Sequence, residues 1–159
     1  KRNMTYYADH IKDTLGNNYI GIKIDRLEML PFLDKLRSLL GKEDFDIYTG
    51  NQQARDHGSY HMTVINVMDY GRLTKSMGMD KFVAALQPVL EYEIDDLQML
   101  GVGKAEAKGN AAYFVACQSD KLEAIRDRFG LPKQDFHITL GFNQKDVFGV
   151  PKNQILADI

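Results

Sequence analysis

The chain holds 159 residues, 44% of them apolar and 26% charged, with 13 Gly and 4 Pro, figures that exclude a disordered, collagen-like or solenoid protein. Its 20 basic and 22 acidic residues leave a net charge of −2, without the basic face on which affinity for duplex DNA or long RNA depends; a small anionic substrate, needing only a few local Lys or Arg, stays open. Such a chain buries roughly 70% of its unfolded surface and needs no staples. Cys117 is the single cysteine, so no internal disulfide can form and a reducing, cytoplasmic compartment is expected. No apolar run approaches the ~18 residues of a membrane span, and residues 1–25 lack the apolar stretch of a signal peptide. The start at Lys1 without Met leads us to expect residues trimmed upstream.

Residues 4–15 (MTYYADHIKDTL) read as a short helix stopped at Gly16. YIGIKID at 19–25 alternates and follows Asn17-Asn18, so a strand is expected. Residues 27–40 place Leu27, Leu30, Leu33, Leu36 and Leu40 at helical spacing before Gly41. Pro31 falls in the first turns of that helix, where its missing N–H costs least. DFDIYT at 44–49 reads as a short strand, GNQQARDHGS at 50–59 as a polar loop, and YHMTVINVMD at 60–69 as a strand. Helix is expected over 80–90, with Pro88 ending its regular part. Strands over 93–106 and 111–118 are joined by a turn at Lys108-Gly109-Asn110. Ser119 can cap a helix over 120–129, closed by Gly130 and Pro132, with Leu122, Ile125 and Phe129 on one face. QDFHITLGF at 134–142 is a final strand. No linker, charge block or low-complexity segment marks a boundary, so one domain over 1–159 is expected, built from lobes at roughly 19–90 and 91–145.

The halves share a plan. A strand and helix lead to His61-Met62-Thr63-Val64 in the first, and a strand and helix lead to His137-Ile138-Thr139-Leu140 in the second. Both tetrads read His-apolar-Thr-apolar, in a chain with only 4 His. Alternation along a strand puts His61 and Thr63 on one side, about 7 Å apart, over Met62 and Val64 in a core. His137 and Thr139 stand likewise over Ile138 and Leu140. If a pseudo-twofold axis relates the halves, two imidazoles oppose each other across one cleft.

Two opposed imidazoles suit displacement at phosphorus without a metal. One neutral His takes the proton from water, and the other, as imidazolium, protonates the departing oxygen; an ordinary pKa of ~6.5 fits both roles. The Thr hydroxyls can donate to non-bridging oxygens and orient the phosphate. A metal site is the competing reading. Zinc takes three or four ligands from Cys, His and carboxylates; His57 and His61 are four apart, but Gly58 and the loop setting spoil helical pairing. No metal and no cofactor are therefore expected. His57 is read as a loop residue, at the cleft rim or solvated, and His10 as a helix-surface residue.

The paired tetrads, half a chain apart, resemble the 2H phosphoesterase superfamily (LigT-like). Gly130-Leu131-Pro132 through Asp135-Phe136-His137-Ile138-Thr139-Leu140-Gly141-Phe142, followed by Lys145-Asp146-Val147, resembles its "Swiss army knife RNA repair-like" branch. The resemblance implies a bilobal α+β fold, with two antiparallel sheets in pseudo-twofold lobes around a central cleft and helices outside. It implies metal-independent cleavage of phosphodiesters adjoining a 2′-hydroxyl or a 2′,3′-cyclic phosphate. By position, His61 and His137 take the catalytic roles, Thr63 and Thr139 the phosphate-holding ones; which His is base and which acid stays open. Members act on cyclic-phosphate RNA ends, ADP-ribose cyclic phosphate, 2′-5′ oligoadenylates and cyclic nucleotide immune signals. A small nucleotide or oligonucleotide substrate suits a chain without a strong basic patch, and short phage proteins of this type that disarm nucleotide signalling suggest a counter-defence role. The alternative is a module that sequesters a nucleotide without cleaving it.

Around the first motif, Tyr48, Arg55 and Tyr60 are candidate substrate contacts: Arg55 for a phosphate, a Tyr for stacking on a base. Lys104, Lys108, Lys145 and Lys152 are candidates for the cleft rim. Gly101-Val102-Gly103-Lys104 lacks the spacing and the trailing Ser/Thr of a phosphate loop. Asn3-Met4-Thr5 fits a glycosylation sequon only in a secreted protein. Met62, Met68, Met77, Met79 and Met99 read as core or hinge filler, and Cys117 as inert in an apolar strand.

Overall fold

A computed structural model describes residues 4–156 of the chain; Asn3 of the sequon lies outside the described residues. The elements run β1 (Asp9–Lys12), β2 (Asn18–Ile24), α1 (Arg26–Leu40), α2 (Lys42–Asp56), β3 (Tyr60–Ile65), α3 (Val67–Met77), α4 (Met79–Glu91), β4 (Gln98–Ala107), β5 (Asn110–Gln118), α5 (Asp120–Arg128) and β6 (His137–Phe142). The fold is α+β, as expected, but the two separate sheets are not found. The strands form one six-stranded order, β1-β2-β3-β6-β5-β4, because β3 and β6 pair directly, antiparallel, at Met62 and Ile138. Two compact units can be distinguished, each drawing on three stretches of chain, and neither coincides with the lobes at 19–90 and 91–145.

The first unit comprises the stretch up to Lys23, Thr63–Gln98 and Ser119–Gln134. Its opening corrects the helix expected over 4–15. Tyr6 bridges Ile94, and β1 pairs antiparallel with β2 from Asp9↔Gly21 to Lys12↔Asn18. The Asp13 carboxylate accepts from the Leu15 and Asn17 amides at 2.9 and 2.8 Å. That local bonding, with Gly16 at φ 85°, closes a hairpin turn and competes with helix formation. His10 thus sits on a strand, its Nε2 3.0 Å from the Tyr70 hydroxyl, rather than on a helix surface. The expected strand over 60–69 ends at Ile65, where Asn66 accepts from the Asp69 amide at 2.8 Å and caps α3. Helix α4 runs through Pro88 to Glu91. Proline forfeits one intrahelical bond, which burial of Leu86 and Val89 on the same helix outweighs. The strand expected to begin at 93 begins at Gln98. Ser119 caps α5 as expected, accepting from the Leu122 amide at 3.1 Å. The buried Arg126 guanidinium donates to the Pro132 and Val64 carbonyls, both at 2.8 Å, fixing the turn that follows α5.

The second unit comprises Ile24–Met62, Met99–Gln118 and the chain from Asp135 onward. Asp25 and Glu28 form a capping box at the start of α1. The helix buries Met29, Phe32, Leu33 and Leu36, while Leu27 and Leu30 of the expected stripe face solvent. The strand expected over 44–49 and the loop expected over 50–59 are, as far as Asp56, the helix α2, and only residues 57–59 remain a turn. The burial of this helix rests on Phe45 and Gln52, too few apolar positions to betray a helical period. Gln52 is retained inside because its Nε2 donates to the Asp56 carboxylate and the Ser59 carbonyl. Lys108 and Gly109, at φ 52° and 79°, make the tight β4–β5 turn, since such hairpins require positive φ at both central residues. Strand β5 pairs antiparallel with β6, with a register shift between Tyr113 and Phe114. Gly103 lies within β4, where a Cβ would run into the Gln154 carbonyl oxygen and come within 2.6 Å of the Phe114 ring. Close packing of the C-terminal segment, whose Leu156 amide donates to the Val102 carbonyl at 2.7 Å, accounts for this glycine. No described helix is long and apolar enough to cross a membrane.

Candidate active site

The two His-x-Thr strands neighbour each other, so the geometry differs from imidazoles facing each other across a groove. Met62 pairs with Ile138, and both are fully buried on one face of the sheet. Alternation then puts His61 and His137 on the opposite face. Continuing the antiparallel register sets His61 beside Thr139 and makes the two histidines diagonal neighbours, about 7–8 Å apart at the backbone. One phosphate can be reached from both rings at that spacing. Thr63 lies two residues along β3 from His61, on the same face.

The His137 ring is fixed on two sides. Its Nδ1 lies 2.8 Å from the Asp135 carbonyl, an acceptor, so the neutral ring carries its proton on Nδ1 and Nε2 bears the lone pair, the atom that can act as a base. Phe114 meets it edge-on at 5.9 Å. Beyond Nε2, at 3.5 Å, stands the ammonium of Lys152. Burial, then the Lys152 charge, hold the His137 pKa down to about 4, and His61 is close enough for its charge to add to the effect. His61 also lies below its ordinary value, chiefly through burial, with Arg55 acting in the same sense and the Asp56 and Asp146 carboxylates opposing.

Asp146 is the hub of the charged groups. Its carboxylate accepts from Arg55 at 2.6 Å, Lys152 at 3.4 Å, the Thr139 hydroxyl at 3.4 Å and the Val147 amide at 2.8 Å. Burial alone would raise its pKa; the Lys152 and Arg55 charges and these hydrogen bonds outweigh burial and hold the carboxyl below the ordinary range. Arg55 belongs to the last turn of α2 rather than to a loop. It also grips Asp56 at 2.8 and 2.9 Å and lies 5.0 Å from the centre of the Phe142 ring. Burial opposes its charge, but hydrogen bonds to Asp56 and Asp146 prevail and raise its pKa.

The other sequence candidates differ in their surroundings. Tyr60 is buried on the Met62 face, its hydroxyl accepting from Gln53 at 2.9 Å. Tyr48 packs edge-on against Tyr113 at 5.7 Å, and its backbone lies directly over Gly141, on the side of β6 to which alternation assigns Thr139 and His137. Lys104 pairs with Glu106 at 3.2 Å, beside the Tyr113 ring. Lys145 is exposed. Exposed His57 ends α2 in a left-handed conformation. No three His, Cys, Asp or Glu side chains among the described residues cluster to hold a metal ion. A surface depression of ≈ 220 Å³ lined by Pro88, Val89, Tyr92, Ala124, Ile125 and Arg128 lies in the first unit and includes none of the site residues. Sequence reasoning missed Asp146 as the hub, although Lys145-Asp146-Val147 was already conspicuous after the second tetrad, and it placed Lys152 only on a rim.

The two His-x-Thr tetrads thus lie on neighbouring antiparallel strands of an α+β fold. Residues 18–148 match the family described as Swiss Army Knife, 2H phosphoesterase domain, and the chain belongs to that branch of the 2H phosphoesterase superfamily. Neither the curated proteins nor the solved structures include a match to it.

Proposed function

We propose that the chain hydrolyses small nucleotide phosphodiesters without a metal, with His137 as general base and His61 as general acid. The diagonal placement of the two rings on one sheet face carries this reading. His137 Nε2, made an acceptor by the Nδ1 bond to Asp135, takes a proton from water as the water oxygen bonds to phosphorus. The bond from phosphorus to the leaving ribose oxygen breaks, and that oxygen takes the proton of the His61 imidazolium. Bound phosphate favours this imidazolium, because a nearby anion stabilises the charged ring. Thr63 and Thr139 orient the non-bridging oxygens. The substrate classes are 2′,3′-cyclic phosphate ends, 2′-5′ oligoadenylate and cyclic oligonucleotide signals, the last fitting a phage-type counter-defence enzyme; a net charge of −2 favours these over structured RNA.

Incubation in EDTA with cyclic dinucleotides, 2′-5′ oligoadenylate and RNA ending in a cyclic phosphate, with products identified by mass, tests this. Cleavage should persist in EDTA, and His61→Ala or His137→Ala should cut turnover by roughly 10²–10⁴ while the fold survives. Ligands recovered unchanged, bound alike by wild type and His137→Ala, would establish sequestration instead.

A further inference from the structure

Lys152 lies beyond the family match, which ends at 148, and within a segment without helix or strand. Nevertheless its side chain is 6% exposed. Three backbone contacts hold that segment in place. The Lys152 amide donates to the Asp135 carboxylate at 3.0 Å, the Gln154 carbonyl oxygen packs over Gly103, and the Leu156 amide donates to the Val102 carbonyl. Asp135 therefore aims His137 through its carbonyl and Lys152 through its carboxylate. The ammonium ends 3.5 Å from His137 Nε2 and 3.4 Å from Asp146. A buried ammonium is costly unless paired, and Asp146 shares its charge with Arg55. The Lys152 charge is thus incompletely compensated by its neighbours at the atom where the base acts.

We propose that Lys152 is a third catalytic residue of this site, its ammonium binding a non-bridging oxygen of the scissile phosphate beside His137. The assignment rests on the phosphodiesterase reading above. Negative charge accumulates on those oxygens as water attacks, and a cation held there stabilises the transition state more than the ground state. The groups facing His137 and Lys152 are Asp135 and Asp146 from the β6 side, Arg55 and Asp56 from α2, and His61 from β3. Among these groups the two histidines change charge during turnover, and the bound phosphate brings a further negative charge to the same place. An anion at Lys152 offsets the field that suppresses protonation of His137, so substrate binding itself readies the base.

The test compares wild type, Lys152→Met and Lys152→Arg, with folding monitored by circular dichroism. On the substrate that wild type cleaves, Lys152→Met should lower kcat by about 10²–10³, with a smaller change in KM, and Lys152→Arg should recover most of the loss. The acidic limb of the pH profile should move upward in Lys152→Met. That limb reads the charge beside His137 whether or not Lys152 touches substrate, so the loss of kcat and its recovery in Lys152→Arg carry the test. Wild-type kcat at the pH optimum in folded Lys152→Met overturns the proposal. If wild type cleaves no probe, the phosphodiesterase reading fails by itself, and adenosine 2′- and 3′-monophosphate binding by calorimetry decides the lysine's role. Affinity about tenfold weaker in Lys152→Met and restored in Lys152→Arg keeps Lys152 as the phosphate contact; equal affinity, or none in wild type, removes it.

Discussion

Asp146→Asn isolates the charge of the hub while keeping its shape. The Lys152 and Asp146 side chains are 6% and 5% exposed, so the substitution strands a buried ammonium. Deleting one partner of a buried pair costs about 3–5 kcal/mol. Arg55 adds little, because its side chain is 32% exposed and keeps Asp56. The Asn oxygen still accepts hydrogen bonds, which puts the expected loss near the lower bound, about 3 kcal/mol. In a chain of this length that lowers Tm by about 6–12 °C. The pH dependence supplies a second check. The folded Asp146 carboxyl lies below its ordinary value, so its stabilisation is complete above the unfolded pKa of about 3.9 and disappears as pH falls through the folded value. Urea unfolding of wild type and Asp146→Asn should therefore show the full gap at pH 7 and a narrowing gap below pH ~4. A variant within about 1 kcal/mol of wild type at pH 7, or a gap that ignores pH, would refute the hub.

Three further outcomes are expected. As general base, His137 must be neutral, and its pKa lies at about 4; as general acid, His61 must be protonated, and its pKa lies below 6.5. The profile of kcat/KM should rise through the first value and fall before 6.5, and an optimum above pH ~7 would contradict these roles. Gly103→Ala puts a methyl into the Gln154 carbonyl and the Phe114 ring, costing about 1–3 kcal/mol by urea unfolding. It should also lower kcat by displacing the segment that bears Lys152, a prediction defeated by an unchanged turnover number. Burial pushes the Cys117 thiol up to about 12, so a thiol reagent at pH ~8 should label it only after unfolding; rapid labelling of native protein would show otherwise.

Legibility in the sequence followed the density of apolar alternation. Tyr60–Ile65, Asn110–Gln118 and His137–Phe142 alternate or run apolar, and each is a strand. Helix α2 is polar along most of its length and buries only Phe45 and Gln52, so its period was hidden. Residues 4–15 have helix-compatible spacing, yet the Asp13 side chain diverts the local amides into a turn. Local pattern also could not reveal that β3 pairs with β6, and the two-sheet expectation failed there. The site divides in the same way. The two tetrads were plain because each is local. Arg55 and Asp146, 91 positions apart, meet through tertiary packing, and nothing in either neighbourhood announces the other.

The register between β3 and β6 has a kinetic consequence. These strands lie half a chain apart, so the ladder that brings the histidines together closes a long loop, among the slower events in folding a small domain. Partly folded forms can retain hairpins and helices while holding the imidazoles far apart. During refolding, recovery of turnover should trail recovery of the circular dichroism signal, and nucleotide would then rescue only those chains that had already zipped the two strands into register.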